Sequence, residues 1–401
     1  MRPGPSNSLV DVSGLRVGHA QRVGGGHLTG TTVVLAPPSG AVAGVDVRGA
    51  APGTRETELL DPRNLVSRVH AVVLSGGSAY GLSAACGVMD RLADAGIGYP
   101  VAGGVVPIVP AAVIFDLGRG GTFRAVPDAT FGAAAYDAAV APDGGAPFTL
   151  SGVADAGDAA LPPLAAGVPL GRRKRKASAR GGLPLSGASN GGAVAPGTAS
   201  GSIGGAVAPG TASGSIGAGT GAQAGGLAGG VGTASVVLAD GTTVAALVVA
   251  NPVGSVLDPR DGTVAGARYG LPGEFDYLRP PLQEEIEAWQ PENAPSFNTT
   301  IGVVATDRTL TKAQCGKLAA VAHDGLARAI RPAHTMTDGD TIFALATCAR
   351  PEPGHDALQE ILAAGADVFS RAIAHAVLAA TGREDAPAYL DVFPSAQRKH
   401  S

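Results

Sequence analysis

The sequence predicts an α/β protein in which helices cover the faces of β-sheets. Apolar runs such as residues 243–250 have the length of strands but no alternating polar side, which is typical of strands buried on both faces. Amphipathic helical segments follow several of these runs. Hydrophobic residues make up 45% of the 401 residues and aromatic residues only 4%, so Val, Leu, Ile and Ala must build most of the core.

The sequence pattern of the N-terminal part predicts strands that are separated by glycine-rich turns. Residues 31–35, 41–47 and 69–74 have strand character, and Ser75-Gly76-Gly77-Ser78 joins the last of them to a helix over 79–95. A junction of this kind can cradle a phosphate. This one matches neither a Walker motif nor GxGxxG, so a tight packing turn is the better interpretation.

A flexible insertion is predicted near 170–216. It contains the basic run 172–176 and a thirteen-residue tandem repeat whose copies, 191–203 and 204–216, are identical. These small Gly, Ala and Ser residues cannot bury a core. Ordered patterning then resumes with a β-hairpin that turns at Asp240-Gly241. Residues 255–295 are proline-rich and predict an exposed connector.

Two strand–helix pairs are predicted in the C-terminal part. A strand over 300–306 precedes a helix over 312–330, which begins with a capping box formed by Thr311 and Gln314. A second strand, over 341–347, precedes a helix over about 356–380.

Charge and cysteine content exclude several classes of protein. The formal net charge of -4 gives no electrostatic reason to expect nucleic acid or a membrane as a partner. Cys86, Cys315 and Cys348 are far apart, which predicts neither a disulfide framework nor a metal site. We find no secretory signal and no unbroken apolar run long enough to span a membrane. We therefore expect a cytoplasmic protein that needs no cofactor.

A polar step precedes each of the two C-terminal strands. Asn298-Thr299-Thr300 leads into one strand and Asp338-Gly339-Asp340 into the other. Both steps are also common turn sequences. A hydroxyl and two carboxylates at the starts of strands can nevertheless form an acyl-transfer site, and cleavage before Thr299 would give that residue a free amine as base for its own hydroxyl. His334 could also act as a base, but a loop-capping histidine is the better interpretation.

The order of the spaced motifs resembles the P1 (S58) peptidase family. This family includes the L-aminopeptidase/D-esterases, the β-peptidyl aminopeptidases and the nylon-oligomer hydrolases. The resemblance covers nearly the whole chain, through residues 15–19, 46–49, 52–56, 74–82, 217–221, 251–254, 298–300 and 338–341. The Asn-Thr step and the Asp-x-Asp pair are most similar to the nylon-oligomer hydrolases.

The resemblance implies a four-layer αββα sandwich of the N-terminal-nucleophile type. It also implies a precursor that cuts itself between Asn298 and Thr299. Residues 1–298 would then form the N-terminal fragment of a single domain, and 299–401 the C-terminal fragment that carries the nucleophile. The expected substrate is a short peptide or small linear amide, and the expected assembly is a homo-oligomer, a tetramer.

The resemblance also implies a role for each site residue. Thr299 would be nucleophile and base, and Asn251 would donate an N–H to the oxyanion. Asp338 and Asp340 would orient the Thr299 amine. Two departures stand out: residues 225–230 lack the lysine that the family often places there, and Phe115 stands where some members have a tyrosine.

Two other classes of function stay open. One is an acyltransferase of the ornithine acetyltransferase type, although its usual Ala-Thr-Met cleavage context differs from Asn298-Thr299-Thr300. The other is an unprocessed binding protein on the same fold, which the missing lysine would favour.

Overall fold

The computed structural model describes residues 1–141, 212–291 and 297–398. The α-helices are α1 Ala84–Asp94, α2 Ala129–Val140, α3 Gln283–Ala288, α4 Lys312–Ala329, α5 His355–Leu378 and α6 Tyr389–Val392. The strands are β1 Arg16–Gly24, β2 His27–Leu35, β3 Ala41–Val47, β4 Thr54–Arg55, β5 Arg68–Val69, β6 Ala71–Ser75, β7 Tyr99–Val101, β8 Gly104–Val106, β9 Ala111–Val113, β10 Gln223–Ala224, β11 Leu227–Ala228, β12 Gly230–Val237, β13 Thr243–Ala250, β14 Ile301–Arg308 and β15 Thr341–Arg350.

Eleven of these strands form two large sheets, and β7–β8 and β10–β11 are two-stranded sheets of their own. The first has the strand order β1-β2-β6-β9-β4 and the second β12-β13-β14-β15-β3-β5. Neighbouring strands are antiparallel except for β6–β9 and β14–β15, which are parallel. The hairpin predicted around Asp240-Gly241 joins β12 to β13.

Hydrophobic clusters separate four layers. One cluster joins α1 and α2 to the first sheet and includes Val33, Val88 and Phe131. A second lies between the two sheets, and a third joins the second sheet to α4 and α5, where Leu318 and Phe369 are buried. This arrangement confirms the αββα sandwich.

The absence of a polar side on the strands follows from this layering. Along β14, Ile301 and Val303 enter the cluster between the sheets, whereas Val304 enters the cluster beneath the helices. Both faces of the strand are therefore removed from water, and each face requires apolar side chains.

The two longest helices begin and pack as the sequence indicates. The capping box of α4 is present: the Thr311 N–H donates to Gln314 Oε1 (2.8 Å), and the Gln314 N–H donates to Thr311 Oγ1 (3.2 Å). Among the described helices, α5 has the length and composition of a membrane span. Its apolar segment is 78% buried inside the protein, where it packs as a core helix.

One local prediction was wrong, and another differs from the structure only in its first turns. The helix predicted over 79–95 begins with a 3-10 segment, Ser78–Ser83, before α1. Residues 255–291 are not an exposed connector, because Val256, Val264 and Phe275 belong to the cluster beneath α4 and α5. The insertion predicted near 170–216 lies outside the described residues except for 212–216, where the Gly214 N–H donates to the Val231 carbonyl (2.7 Å).

Candidate active site

Three strand ends meet at one edge of the second sheet. Strands β14 and β15 are parallel and in register from Ile301 and Thr341, so the residues before each strand lie side by side. Strand β13 is antiparallel to β14, with Val249 opposite Ile301, so its C-terminal end reaches the same place. The topology therefore brings together Asn251, the Asn298-Thr299 step and the Asp338-Gly339-Asp340 step.

Thr299 lies buried at the centre of this edge. Its hydroxyl donates a hydrogen bond to the carbonyl oxygen of Asn298, the residue before it. The same hydroxyl accepts from the Gly339 N–H (3.2 Å), and the Thr299 N–H donates to the Asn251 carbonyl (2.8 Å). Gly339 leaves no room for a side chain, because an added Cβ would lie 2.5 Å from the Ala51 carbonyl oxygen.

Asn251 is fully buried beside Thr299. Its Oδ1 accepts from the Gln223 N–H (2.9 Å) and from the Arg119 guanidinium (2.6 Å), and its Nδ2 donates to the Phe115 carbonyl (3.2 Å). Because the partners of Oδ1 can only donate and that of Nδ2 can only accept, they determine which way the amide points.

Asp338 connects the loops around the site. Its Oδ1 accepts from the Val253 N–H (3.2 Å), and its Oδ2 accepts from the Thr335 hydroxyl (2.5 Å) and N–H (3.2 Å). Its backbone forms a parallel β-bridge with Asn298. The carboxylate thereby holds the end of β13 against the start of β15.

Asp340 anchors the start of β14. Its Oδ1 accepts from the Thr300 N–H (2.8 Å), while its Oδ2 accepts from the His334 N–H (3.0 Å) and contacts His334 Nδ1 (2.8 Å). His334 thus packs against the carboxylate of Asp340. The ring of His323 lies next to that of His334, with 4.9 Å between the ring centroids. Burial lowers the pKa of His323 to about 4, so this ring is neutral at pH 7.

Replacing Asp340 with asparagine is expected to disrupt the site. Whichever way the new amide points, its NH₂ group meets an N–H of Thr300 or His334. We expect the free energy of unfolding to fall by about 1–3 kcal/mol. Melting curves and urea unfolding measure this loss. Asp324→Asn, at a side chain that is 57% exposed, is the control.

Sequence reasoning missed Arg119, which comes from the loop after β9. Besides Asn251, its guanidinium donates to the Asn298 Oδ1 (2.9 Å) and to the Gly221 carbonyl (2.6 Å). It therefore bridges Asn251 to the residue before Thr299. The available signal was an arginine among glycines, Gly118-Arg119-Gly120-Gly121, shortly after a buried strand.

Arg119 supplies a buried cation to this site. Burial lowers its pKa to about 10, against the opposing attraction of Asp116, so it stays charged at pH 7. Burial raises the pKa of Asp116, although hydrogen bonds from the Thr29 hydroxyl and the Gly77 N–H, both 2.6 Å, oppose that rise. A second guanidinium is nearby, because Arg383 donates to the same Gly221 carbonyl as Arg119 (3.3 Å).

The Ser75-Gly76-Gly77-Ser78 turn is occupied by protein groups. The Gly77 N–H donates to the Asp116 carboxylate, the Gly76 N–H to the Gly30 carbonyl (2.9 Å) and the Ser78 N–H to the Ile114 carbonyl (2.9 Å). A phosphate would have to displace these partners, so the turn has a packing role.

In the described part of the chain, two of the cavities are lined by Asn298. One of about 120 Å³ is lined by Thr299, Asn298 and the aromatic pair Phe115 and Phe297, whose centroids are 5.8 Å apart. The other, of about 550 Å³, is lined by Asn298, Trp289 and the acidic residues Glu384 and Asp385. Within the described part of the chain, no group of three His, Cys, Asp or Glu side chains could hold a metal ion.

Comparison with known proteins places this chain in a family. An uncharacterized aminopeptidase of Mycobacterium leprae is 43% identical over 98% of this chain and 96% of its own length. The 6-aminohexanoate-oligomer endohydrolase of Kocuria sp. is 28% identical over 84% of this chain and 74% of its own length.

Solved structures share the fold. The β-aminopeptidase of Burkholderia sp. has a TM-score of 0.62 at 20% identity, covering 100% of this chain and 96% of its own. The L-aminopeptidase D-Ala-esterase/amidase of Ochrobactrum anthropi has a variant of the Ntn hydrolase fold. It has a TM-score of 0.60 at 18% identity, covering 94% of this chain and 88% of its own. The model of peptidase family S58 matches residues 7–146 and 188–386, so this chain belongs to that family and is a hydrolase on the Ntn fold.

Proposed function

We propose that this protein is an N-terminal-threonine amide hydrolase that first cuts its own chain between Asn298 and Thr299. The observation that carries the proposal is the contact at that bond. The Thr299 hydroxyl is hydrogen-bonded to the carbonyl oxygen of Asn298, and the Gly339 N–H donates to the same hydroxyl. A nucleophile therefore lies beside the carbonyl that it would attack, in a buried setting.

Self-cleavage would proceed through an ester. The Thr299 oxygen bonds to the Asn298 carbonyl carbon, the carbon–nitrogen bond breaks, and the hydroxyl proton ends on the released Thr299 nitrogen. One water then hydrolyses the ester, giving an Asn298 carboxylic acid and a Thr299 with a free hydroxyl and a free amine.

Turnover would repeat this chemistry on a substrate. The Thr299 amine accepts the hydroxyl proton as the oxygen attacks the substrate amide carbon, and it passes that proton to the leaving nitrogen. Water then attacks the ester and releases the acid. Because the base belongs to the nucleophile itself, His334 is not needed as a base.

Asn251 is proposed as the donor to the oxyanion. Its amide nitrogen carries two N–H groups, of which one donates to the Phe115 carbonyl. The other is the group that we assign to the developing negative charge. The Arg119 guanidinium bound to Oδ1 polarises this amide and strengthens its donor end.

Asp338 and Asp340 are proposed to orient the Thr299 amine once it is free. In the uncut chain the Thr299 nitrogen is an amide that donates to the Asn251 carbonyl, while the carboxylates hold the neighbouring Val253 and Thr300 N–H groups. After cleavage the nitrogen becomes an amine that takes up protons. The two adjacent carboxylates favour its protonated form after proton transfer.

Short peptides or linear amides are the proposed substrates. The larger cavity, of about 550 Å³, lies within the 300–1,000 Å³ typical of small-molecule sites. The relatives include an aminopeptidase and an oligoamide hydrolase by name. We also propose that the protein is cytoplasmic and forms a homo-oligomer.

An activity screen tests this proposal against the acyltransferase alternative. The purified protein is incubated with aminoacyl p-nitroanilides, with a 6-aminohexanoate oligomer, and with N-acetylornithine plus glutamate. We expect hydrolysis of at least one amide class and no acetyl transfer. Acetyl transfer without amide hydrolysis would reject the proposal in favour of the acyltransferase.

Replacing Asn251 with aspartate is expected to slow both self-cleavage and turnover by about 10²–10³-fold, because it removes the N–H donors while keeping the size of the side chain. Fragment formation and anilide hydrolysis are measured on the same preparation. Asn64→Asp, the same change at an exposed asparagine that lines neither cavity, serves as control. Unchanged rates in Asn251→Asp would rule out the oxyanion role.

A further inference from the structure

We propose that the mature enzyme has an acyl-side subsite for a primary carboxamide and that it hydrolyses asparaginyl amides in preference to other aminoacyl amides. This inference rests on the proposed self-cleavage. In the uncut chain, the side chain that occupies the acyl side of the scissile bond is that of Asn298.

The Asn298 side chain is buried and is bound at both ends of its amide. Its Oδ1 accepts from the Arg119 guanidinium (2.9 Å), and its Nδ2 donates to the Pro252 carbonyl (2.9 Å). A guanidinium can only donate and a carbonyl can only accept, so the pair selects a group with an acceptor on one side and a donor on the other. A carboxamide meets this requirement.

The same subsite would serve the substrate because the two acyl intermediates have the same connectivity. In self-cleavage, the acyl carbon of Asn298 is esterified to Thr299 Oγ1. In turnover, the acyl carbon of the substrate is esterified to the same oxygen, and in both cases one water cleaves the ester while the Thr299 amine is free. The side chain of the acyl residue therefore extends from the same point in both intermediates.

The backbone contact at Asn298 fits an aminoacyl substrate. The Asn298 N–H donates to the Thr337 carbonyl (3.2 Å). In an N-terminal asparaginyl substrate, an α-ammonium group would stand at that position, and it also donates. The smaller cavity, of about 120 Å³, is lined by both Asn298 and Thr337 and gives space beside this position.

Other acyl side chains would fit less well. An aspartyl side chain would set a carboxylate oxygen against the Pro252 carbonyl, two acceptors at the 2.9 Å distance of the present hydrogen bond. A leucyl side chain would leave the donor of Arg119 and the acceptor of Pro252 without partners. Sites built to hydrogen-bond a substrate group reject analogues that lack it.

The first test compares substrates on the processed wild-type protein. We measure kcat/KM for the p-nitroanilides of L-Asn, L-Asp and L-Leu. We expect the asparaginyl anilide to exceed the other two by about tenfold or more. In Arg119→Met, the ratio of asparaginyl to leucyl anilide should fall toward one. The ratio does not depend on how far the substitution lowers the overall rate.

The second test uses the chain as its own substrate. In Asn298→Leu and Asn298→Asp, the first-order rate of self-cleavage should be about tenfold or more below that of wild type. The same two changes at the exposed Asn64, which lines neither cavity, should alter the rate little. Melting curves confirm that each variant is folded.

The outcomes separate the subsite from the function on which it rests. Asparaginyl preference in both tests supports the subsite. A protein that cleaves itself and hydrolyses all three anilides at similar rates overturns the subsite and leaves the proposed function standing. A wild-type chain that stays uncut and hydrolyses none of them overturns both.

Discussion

Replacing Thr299 with alanine is expected to leave the chain in one piece and to abolish amide hydrolysis. The substitution removes the hydroxyl that contacts the Asn298 carbonyl, and no base can compensate for a missing nucleophile. Loss of a catalytic nucleophile typically costs about 10⁴–10⁶ in rate. Denaturing gels over several days and an anilide assay measure the two activities.

Two variants serve as controls for this experiment. Thr299→Ser keeps a hydroxyl and should still cleave, within about tenfold of wild type. Thr300→Val removes the adjacent hydroxyl at nearly constant volume and should also still cleave, because the Thr300 contact with Asp340 is made by its backbone N–H. Cleavage in Thr299→Ala at the wild-type rate would show that another residue is the nucleophile.

The second large effect concerns stability rather than chemistry. Arg371 on α5 is buried, and its guanidinium pairs with the Glu274 carboxylate through two contacts of 2.7 and 2.9 Å. It also donates to the Ser235 carbonyl (3.0 Å) and to Asn7 Oδ1 (2.7 Å). One side chain thus joins the N-terminal segment, strand β12 and the loop that carries Glu274.

Arg371→Met is expected to lower the free energy of unfolding by about 3–5 kcal/mol, because it takes the guanidinium partner away from the buried Glu274 carboxylate. Urea unfolding in the Thr299→Ala background, where the chain is expected to stay whole, measures this difference. Arg328→Met on α4 is the matched control. Its pair with Asp367 is exposed, with 40% and 45% of the two side chains accessible, and should contribute no more than about 1 kcal/mol.

The effect of Arg371→Met should depend on pH in a defined direction. Burial alone would raise the pKa of Glu274, but hydrogen bonds from His375 and Arg371 outweigh burial and lower the pKa well below its usual range. The pair therefore stabilises the fold fully above the unfolded pKa of about 4.3, and this contribution is lost as the pH falls below that value. We expect the free energies of unfolding of variant and parent to differ strongly at pH 7 and less near about pH 3. An equal difference at the two pH values would contradict the assignment of this stability to the ionised Glu274–Arg371 pair.

Much of the architecture could be predicted because it depends on local patterns. Strands without a polar side indicated sheets covered by helices, and Thr311 with Gln314 marked the start of α4. The buried residues of 255–291 were missed because Val256, Val264 and Phe275 stand in a proline-rich segment with no helical or strand period. Their burial depends on the neighbouring helices, which no local pattern reveals.

The site also combines residues that local patterns predict with a residue that only tertiary packing brings in. Thr299 and the Asp338-Gly339-Asp340 step stand at the starts of strands, and parallel pairing of those strands brings them together. Arg119 was missed because it lies 132 positions before Asn251 and on the loop of the other sheet. Only the packing of the two sheets brings its guanidinium to Asn298.

The mass of the wild-type protein after purification tests the central claim most directly. The account predicts two species, residues 1–298 and 299–401, whose masses sum to that of the whole chain plus one water, and a C-terminal species that begins with Thr299. A single uncut species in wild type, as in Thr299→Ala, would contradict self-processing. Fragments that meet at any bond other than Asn298–Thr299 would contradict the assignment of the nucleophile.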